Sequence, residues 1–450
     1  MTSVVIIGGG VIGLSVAWRA AQRGLAVTVI DPAPGSGATR AAAGMLTPVT
    51  EAAYAEKDLL RLGIESLRRY PDFAAELTRL TGEPTGFRQD GTIQVGYDAD
   101  DMAVIGEVHA LQEAFGVAAQ RLTARECRAA EPLLDPAVRG GLLTAGDGSV
   151  DPRRLVRALL AAAAQAGVTM LRQPVAEVLV TGTGPAAPAR PAGAPPDPAG
   201  SPAAPPAAPA AAGSRDPEDF SAPAGEKPSG SWSGAAPGRA AGVRLADGTK
   251  VGADWVVLAA GWESAGLAGL PPAAVPPVRP VKGQILRLRA GPQAAQLSRS
   301  VRGVVRGRCV YLVPRLDSEL VIGATQEEMG ADTQVTAGGV WELLRDARAL
   351  IPAITEFGFA EACAGLRPGT PDNAPVLGPS GLPGLVLATG HFRAGVLLAP
   401  ITADAVAEYL ATEQLSGLAV PFTLARFRRE QPGSPAGPAG PPAASAGEPG

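Results

Sequence analysis

Three glycines and one aspartate near the start of the chain carry the strongest chemical signal. In "VVIIGGGVIGLSVAWRAAQRGLAVTVID" (4–31), Gly8, Gly10 and Gly13 fit G-x-G-x-x-G between an apolar run and an Ala-rich segment. The first glycine of such a pattern permits a tight turn and the second lets a pyrophosphate approach the backbone. The third allows close helix–strand packing, and the helix N-terminus adds partial positive charge. Asp31 ends the next apolar run, 18 residues past Gly13. A carboxylate there can accept from both ribose hydroxyls and would repel a 2′-phosphate. The chemistry implied is the binding of a dinucleotide other than NADP.

Composition narrows the remaining classes. The 450 residues, 46% of them apolar, supply cores for two interleaved domains or one large α/β unit. A formal charge of −4 and a pI near 5.5 give no basic field for nucleic acid or an anionic membrane. Cys127, Cys309 and Cys363 are odd in number and widely spaced, which argues against a disulfide framework. With so few cysteines, His109 and His391 make no ordinary zinc site, and no metal is expected. No apolar run reaches about 18 residues, and no basic leader precedes the first strand. The expectation is a cytoplasmic protein.

The elements that must position the glycines alternate between helix and strand. "DPRRLVRALLAAAAQAG" (151–167) opens on Asp-Pro and closes on Gly, as a helix does. "VAEVLV" (175–180) reads as a strand, and "AAGVRLADGTKVGADWVVLAAG" (240–261) as an Asp-Gly hairpin followed by a buried strand. Between them, residues 182–239 are mostly Ala, Pro, Gly and Ser without apolar periodicity, as is the tail 431–450. The long segment reads as an insertion at a hairpin tip, where loops tolerate length. Residues 284–326 are strand-rich, 338–350 have helical spacing, and "GLVLATG" (384–390) precedes a helix beginning near Pro400. A nucleotide domain built from both ends of the chain, interrupted by a β-rich domain, follows from this order.

Several motifs carry a family resemblance. "GATRAAAGMLTP" (37–48), "VYLVPR" (310–315), "VIGAT" (321–325), "AGLRPGTPDNAPVLGP" (364–379) and "ATGHFRAGVLLAP" (388–400) are similar to segments of the glycine oxidases of thiamine biosynthesis. These belong to the FAD-dependent D-amino-acid oxidase and sarcosine oxidase group. The resemblance runs from residue 2 to about 412, excluding the insertion. It implies an α/β fold: an FAD-binding Rossmann-like domain of glutathione-reductase type with an inserted, antiparallel, β-rich substrate domain. The FAD-binding parts would be 1–80, 151–181, 240–270 and 363–430, and the substrate parts 81–150 and 271–362.

The resemblance also implies roles for residues. Non-covalent FAD would place its pyrophosphate at Val11 and Ile12 beside Gly8, Gly10 and Gly13, and its ribose at Asp31. Ala38, Thr39, Ala43, Gly44 and Met45 would run along the cofactor, Val175 would meet the adenine, and Gly261 would mark the second glycine crossing. The segment His391, Phe392, Arg393, Ala394, Gly395, Val396 and Leu397 would wrap the flavin. Arg367 would clamp the substrate carboxylate, a task that suits a planar guanidinium, with Tyr311 and Arg393 beside it. No side chain is required as acid or base.

The implied reaction is hydride transfer from glycine, sarcosine or a small D-amino acid to flavin. It gives an imino acid, then glyoxylate or a keto acid and ammonia, with dioxygen reduced to hydrogen peroxide. Iminoglycine would feed a thiazole synthase, and the family's habit implies a homotetramer. A sarcosine oxidase, a broader D-amino-acid dehydrogenase or oxidase, and a catalytically silent flavoprotein stay open at this stage. The chain departs from the family pattern at Asp31, where Glu is usual, at Trp262, one position early, at Ala394 for Asn, and at Cys363 for Trp.

Overall fold

The computed structural model describes residues 1–49, 56–182 and 238–428. Its first layer is a six-stranded sheet in the order Val376–Pro379, Leu385–Thr389, Trp255–Leu258, Ser3–Ile7, Ala26–Ile30, Thr169–Leu171. Every neighbouring pair is parallel except the first. A parallel sheet is covered on both faces, which is why its strands read as unbroken apolar runs. Val4 and Ile6 pack towards helices Val11–Gln22, Pro152–Gln165 and Ala399–Thr412, while Val5 and Ile7 pack towards a three-stranded sheet around Arg239–Leu245. Asp151 caps the second of these helices, accepting from the N–H groups of Arg153 and Arg154, with Pro152 in the first turn.

The second layer is an eight-stranded sheet in the order Gly358–Gly369, Arg279–Arg289, Glu319–Gly323, Arg308–Pro314, Ser300–Val305, Thr92–Gly96, Gly140–Thr144, Gln120–Thr123. It is antiparallel apart from the junction of Ser300–Val305 with Thr92–Gly96, where its two chain segments meet in parallel. One face packs on helix Ala337–Leu350 through Leu286, Leu288, Val301 and Ile322. The opposite face turns towards the first layer and meets Ala43 and Met45.

The expected seam at 362/363 falls inside a strand. Residues 358–369 pair along Arg279–Arg289 without leaving the sheet until Arg279 meets Gly369. Gly, Arg and Pro give this strand the look of a loop, but it lies at the sheet edge, where a missing N–H is tolerated. Arg367 and Cys363 therefore stand on the substrate sheet.

The expected insertion at 182–239 lies almost wholly outside the described residues, as does the tail 431–450. Its flanks are described: Val175–Thr181 and Arg239–Leu245 form an antiparallel ladder that ends with Thr181 opposite Arg239. The two ends of the segment thus leave one hairpin. Replacing residues 183–237 by a two- to four-residue Gly/Asn turn should leave the thermal midpoint within about 3 °C, less than about 1 kcal/mol. A larger fall in a melting curve would show that the segment contributes to the fold.

Candidate active site

Between the two layers lies a cavity of about 1110 Å³. One end is formed by Gly8, Gly10, Val11 and Ile12, with Asp31 and Val175 beside them, and its flank by Ala38, Thr39, Ala43, Gly44 and Met45. Gly261, the loop residues His391, Phe392, Arg393, Gly395 and Val396, and Tyr311 and Arg367 also line it. Three expected residues do not line it. Gly13 lies beneath the turn, where a β-carbon would come 1.9 Å from the Gly8 carbonyl oxygen. Ala394 and Leu397 face a smaller pocket beside Glu56, Leu59 and Leu398.

The glycine end is built to receive an anion. Helix Val11–Gln22 starts after Gly10 with no side-chain cap, so first-turn N–H groups open on the cavity. Val11 N–H alone is turned to a side chain, Thr39 Oγ1 at 3.2 Å. Asp31 accepts from Gly9 N–H at 2.6 Å and Ala33 N–H at 2.7 Å, one on each oxygen. Each oxygen keeps a second lone pair for a hydroxyl.

Buried side chains fix the cavity wall through its backbone. Arg315, buried and with its pKa lowered to about 10 by that burial, donates to the carbonyls of Val150 at 2.9 Å and Ala43 at 2.5 Å. It staples the Ala43–Met45 passage to the substrate sheet. Ser66 and Tyr70, on helix Lys57–Thr81, donate to the carbonyls of Leu397 at 2.6 Å and Val396 at 2.9 Å. Phe392 N–H donates to the carbonyl of Pro368 at 3.0 Å, tying the His391 loop to the strand of Arg367. Thr389 donates to the Gly261 carbonyl at 2.9 Å and holds that turn.

The chemistry of the far end rests on two glycines that the sequence reading did not single out. A β-carbon at Gly283 would sit 2.3–2.4 Å from Nη1, Cζ and Nη2 of Arg367. One at Gly323 would sit 2.4–2.6 Å from Oη, Cε2 and Cζ of Tyr311. The strands carrying Gly283 and Gly323 are neighbours, with Arg367 on the strand outside one and Tyr311 on the strand outside the other. Guanidinium and phenol each lean over a glycine of the neighbouring strand, with Ile285 opposite Gly323 on the same face. Glycine inside a strand marks such an approach, and "VKGQ" and "VIGAT" held that signal. Arg367 Nη1 donates to the carbonyls of Thr325 at 3.1 Å and Lys282 at 3.4 Å. No carboxylate pairs with it among the described residues. Arg302 and Cys309 also line this end and were not anticipated.

Arg393 stands between the two pockets, 3.9 Å from Glu56 and over the ring of Phe392. His391 is buried, with Nε2 3.0 Å from Thr402 Oγ1. Burial holds its pKa down to about 3, so it is neutral at pH 7. Burial first, then Glu361, raises the pKa of Cys363 and keeps it a thiol. Among the described residues no group of three or more His, Cys, Asp or Glu could hold a metal ion, and no helix is long and apolar enough to cross a membrane.

A glycine-turned helix N-terminus and a carboxylate at the second strand, opening on one long cleft, are the features of a dinucleotide-binding fold. The model of the FAD dependent oxidoreductase family DAO matches residues 3–192 and 232–409, and the chain belongs to that family. FAD is its cofactor, and the uncapped helix terminus, the paired lone pairs of Asp31 and the length of the cleft fit it. The bifunctional protein ThiO/ThiG of Trichormus variabilis is 30% identical over 433 residues, 96% of this chain and 56% of that protein. The chain thus spans about half the length of such relatives. The glycine oxidase of Geobacillus kaustophilus is 29% identical over 427 residues, 94% of this chain and 96% of the relative. The crystal structure of glycine oxidase from that organism superposes with a TM-score of 0.74 at 27% identity, covering 94% and 99% of the two chains.

The state of His391 makes stability depend on pH. Its folded pKa of about 3 lies below the ordinary 6.5, so between those values the unfolded chain binds the extra proton. Its contribution is complete above about pH 6.5 and falls as pH drops towards 3, by at most about 1.4 kcal/mol per pH unit. Urea midpoints between pH 7 and pH 4 should therefore fall less steeply in His391→Asn than in the parent. Parallel slopes would remove His391 from the acid transition.

Proposed function

We propose that the protein oxidises glycine, and with it sarcosine or small D-amino acids, to the imino acid. The supporting observation is the convergence of Arg367 and Tyr311 over Gly283 and Gly323 in the cavity that begins at Gly8. Arg367 offers a flat, permanently charged donor set that matches a carboxylate. Two backbone carbonyls hold one of its nitrogens, which fixes the plane before substrate arrives. Tyr311 supplies a hydroxyl to the same carboxylate. Ala43, Met45, Ile285 and Val313 exclude water around this end.

Bound FAD would supply the two-electron acceptor for the hydride leaving the substrate Cα–H bond; that hydride, with the proton lost from the amine, would reduce dioxygen to hydrogen peroxide. The chain's task is orientation: it fixes the carboxylate so that Cα–H faces the cofactor. The amine enters neutral, and neutral His391 neither takes nor gives a proton at pH 7. The balance is amino acid, dioxygen and water in; keto acid, ammonia (methylamine from sarcosine) and peroxide out. With glycine the keto acid is glyoxylate, and the imine, before hydrolysis, is a fit donor for thiazole formation by a synthase. We read the FAD as non-covalent and the assembly as a homotetramer from the resemblance, and the protein as cytoplasmic from its composition.

Anaerobic mixing with excess glycine should bleach the flavin's visible absorption, and air should restore it with release of peroxide. A spectrum that glycine, sarcosine and D-alanine all leave untouched would overturn the reading. Arg367→Ala should lower kcat/KM about 100-fold, the value of about 3 kcal/mol of charged hydrogen bonding, with FAD retained. Gly283→Ala pushes the guanidinium aside without touching its charge. It should raise KM for glycine at least about tenfold while the thermal midpoint stays within about 3 °C; unchanged KM would show that the floor does not set the clamp.

A further inference from the structure

The segment behind Arg367 carries a buried charge that the reaction does not use. Lys282 is one of only four lysines against 35 arginines. Its side chain is wholly inaccessible to solvent, and strand alternation sends it to the face opposite that of Gly283. Its Nζ lies 2.5 Å from Asp332 Oδ2 and 3.7 Å from Glu327 Oε2. Both acids belong to the segment that leaves strand Glu319–Gly323 for helix Ala337–Leu350.

That segment is bound to the Lys282 strand residue by residue. Lys282 and Glu327 exchange backbone hydrogen bonds of 2.9 Å in both directions. Thr325 Oγ1 accepts from Gln284 N–H at 2.8 Å and donates to Glu327 at 2.5 Å. The Gln284 amide donates to Glu327 at 2.8 Å and to Thr336 at 3.0 Å, at the start of the helix. Thr325 is thus fixed on its side-chain side, and its carbonyl is the one that receives Arg367 Nη1 at 3.1 Å. The second carbonyl on that nitrogen belongs to Lys282 itself. Burying an ammonium is costly, and an apolar side chain could fill the same space without that cost. Holding two carboxylates, and through them the Thr325 carbonyl, is what the charge adds.

We propose that Lys282, Glu327 and Asp332 form a charged latch that sets the plane of the Arg367 guanidinium, acting as positioning residues that do not touch substrate. This rests on the reading of Arg367 as the carboxylate clamp.

The test uses the holoenzyme, with glycine kinetics and with acetate, a carboxylate lacking the amine, titrated against the visible absorption of bound FAD. Lys282→Met should raise both KM for glycine and Kd for acetate about tenfold, with kcat changed less than about twofold and FAD affinity unchanged. In an Arg367→Ala background the same substitution should add less than about twofold to either constant, because its effect passes through the guanidinium. Asp332→Asn should act in the same direction, about threefold. Asp332 is partly exposed, so this variant carries the comparison if Lys282→Met does not fold. Equal effects of Lys282→Met with and without Arg367, or no effect with it, would overturn the latch. A parent enzyme that neither binds acetate nor is reduced by amino acids would overturn the clamp reading, and the latch with it.

Discussion

The guanidinium of Arg367 lies where a β-carbon of Gly283 would be, and most of the substrate end follows from that contact. A side chain at this position would displace the charge from the floor of the cavity. Lying flat, the guanidinium comes within reach of the Thr325 and Lys282 carbonyls, which in turn exist there because the segment after Gly323 folds back along the Lys282 strand. The same economy of volume recurs one residue pair away. Gly365 has no side chain, and Ala41 of helix Ala38–Ala41 occupies the space, so the cofactor-side passage meets the substrate sheet directly. Two layers approach closely enough to share one cavity because the facing positions carry no bulk.

Close approach brings buried polar groups with it, and buried arginines pair with several of them. Arg315 bridges Ala43 and Val150, which belong to two stretches distant in sequence. Arg287, nearly inaccessible, pairs with Glu319 on the neighbouring strand. A cation that binds two carbonyls fixes their orientation more narrowly than apolar packing does, at a cost in desolvation. These charges cluster around the wall facing the cofactor passage, where small errors of position matter to a reaction governed by orientation.

What was legible in the sequence is what is local. The glycines, Asp31 and the alternation of apolar runs sit within one strand–helix–strand unit, so spacing alone orders them. The pairing of Val175–Thr181 with Arg239–Leu245 was legible because an Asp-Gly turn follows the second strand and a change of composition follows the first. Gly283 and Gly323 were not, because their partners Arg367 and Tyr311 lie on other strands, and no local pattern records which side chain will cross a neighbouring glycine. The seam near 362 was misplaced for a related reason. "AGLRPG" is rich in turn formers, and only its pairing with Arg279–Arg289 reveals a strand. Ala394 and Leu397 were drawn towards the cofactor with their whole segment. Ser66 and Tyr70 hold the carbonyls of Leu397 and Val396, and Ala394 and Leu397 line the smaller pocket.

The aspartate at the end of the second strand shows how a shorter acid can serve where a longer one is usual. Asp31 is drawn back into the glycine turn by Gly9 and Ala33, so its carboxylate is oriented but does not project far into the cavity. Glu263 lines the same cavity. Partial withdrawal from water, then the charge of Asp31, raises the pKa of Glu263. Neither acid forms an ion pair among the described residues. Two carboxylates left in proximity without a cation repel each other and any third anion, and both are relieved by hydroxyl donors. A ribose with free hydroxyls supplies such donors and a phosphorylated one adds charge to charge. Two acids, of which the spacing rule reveals only the first, thus weigh against further negative charge at this end.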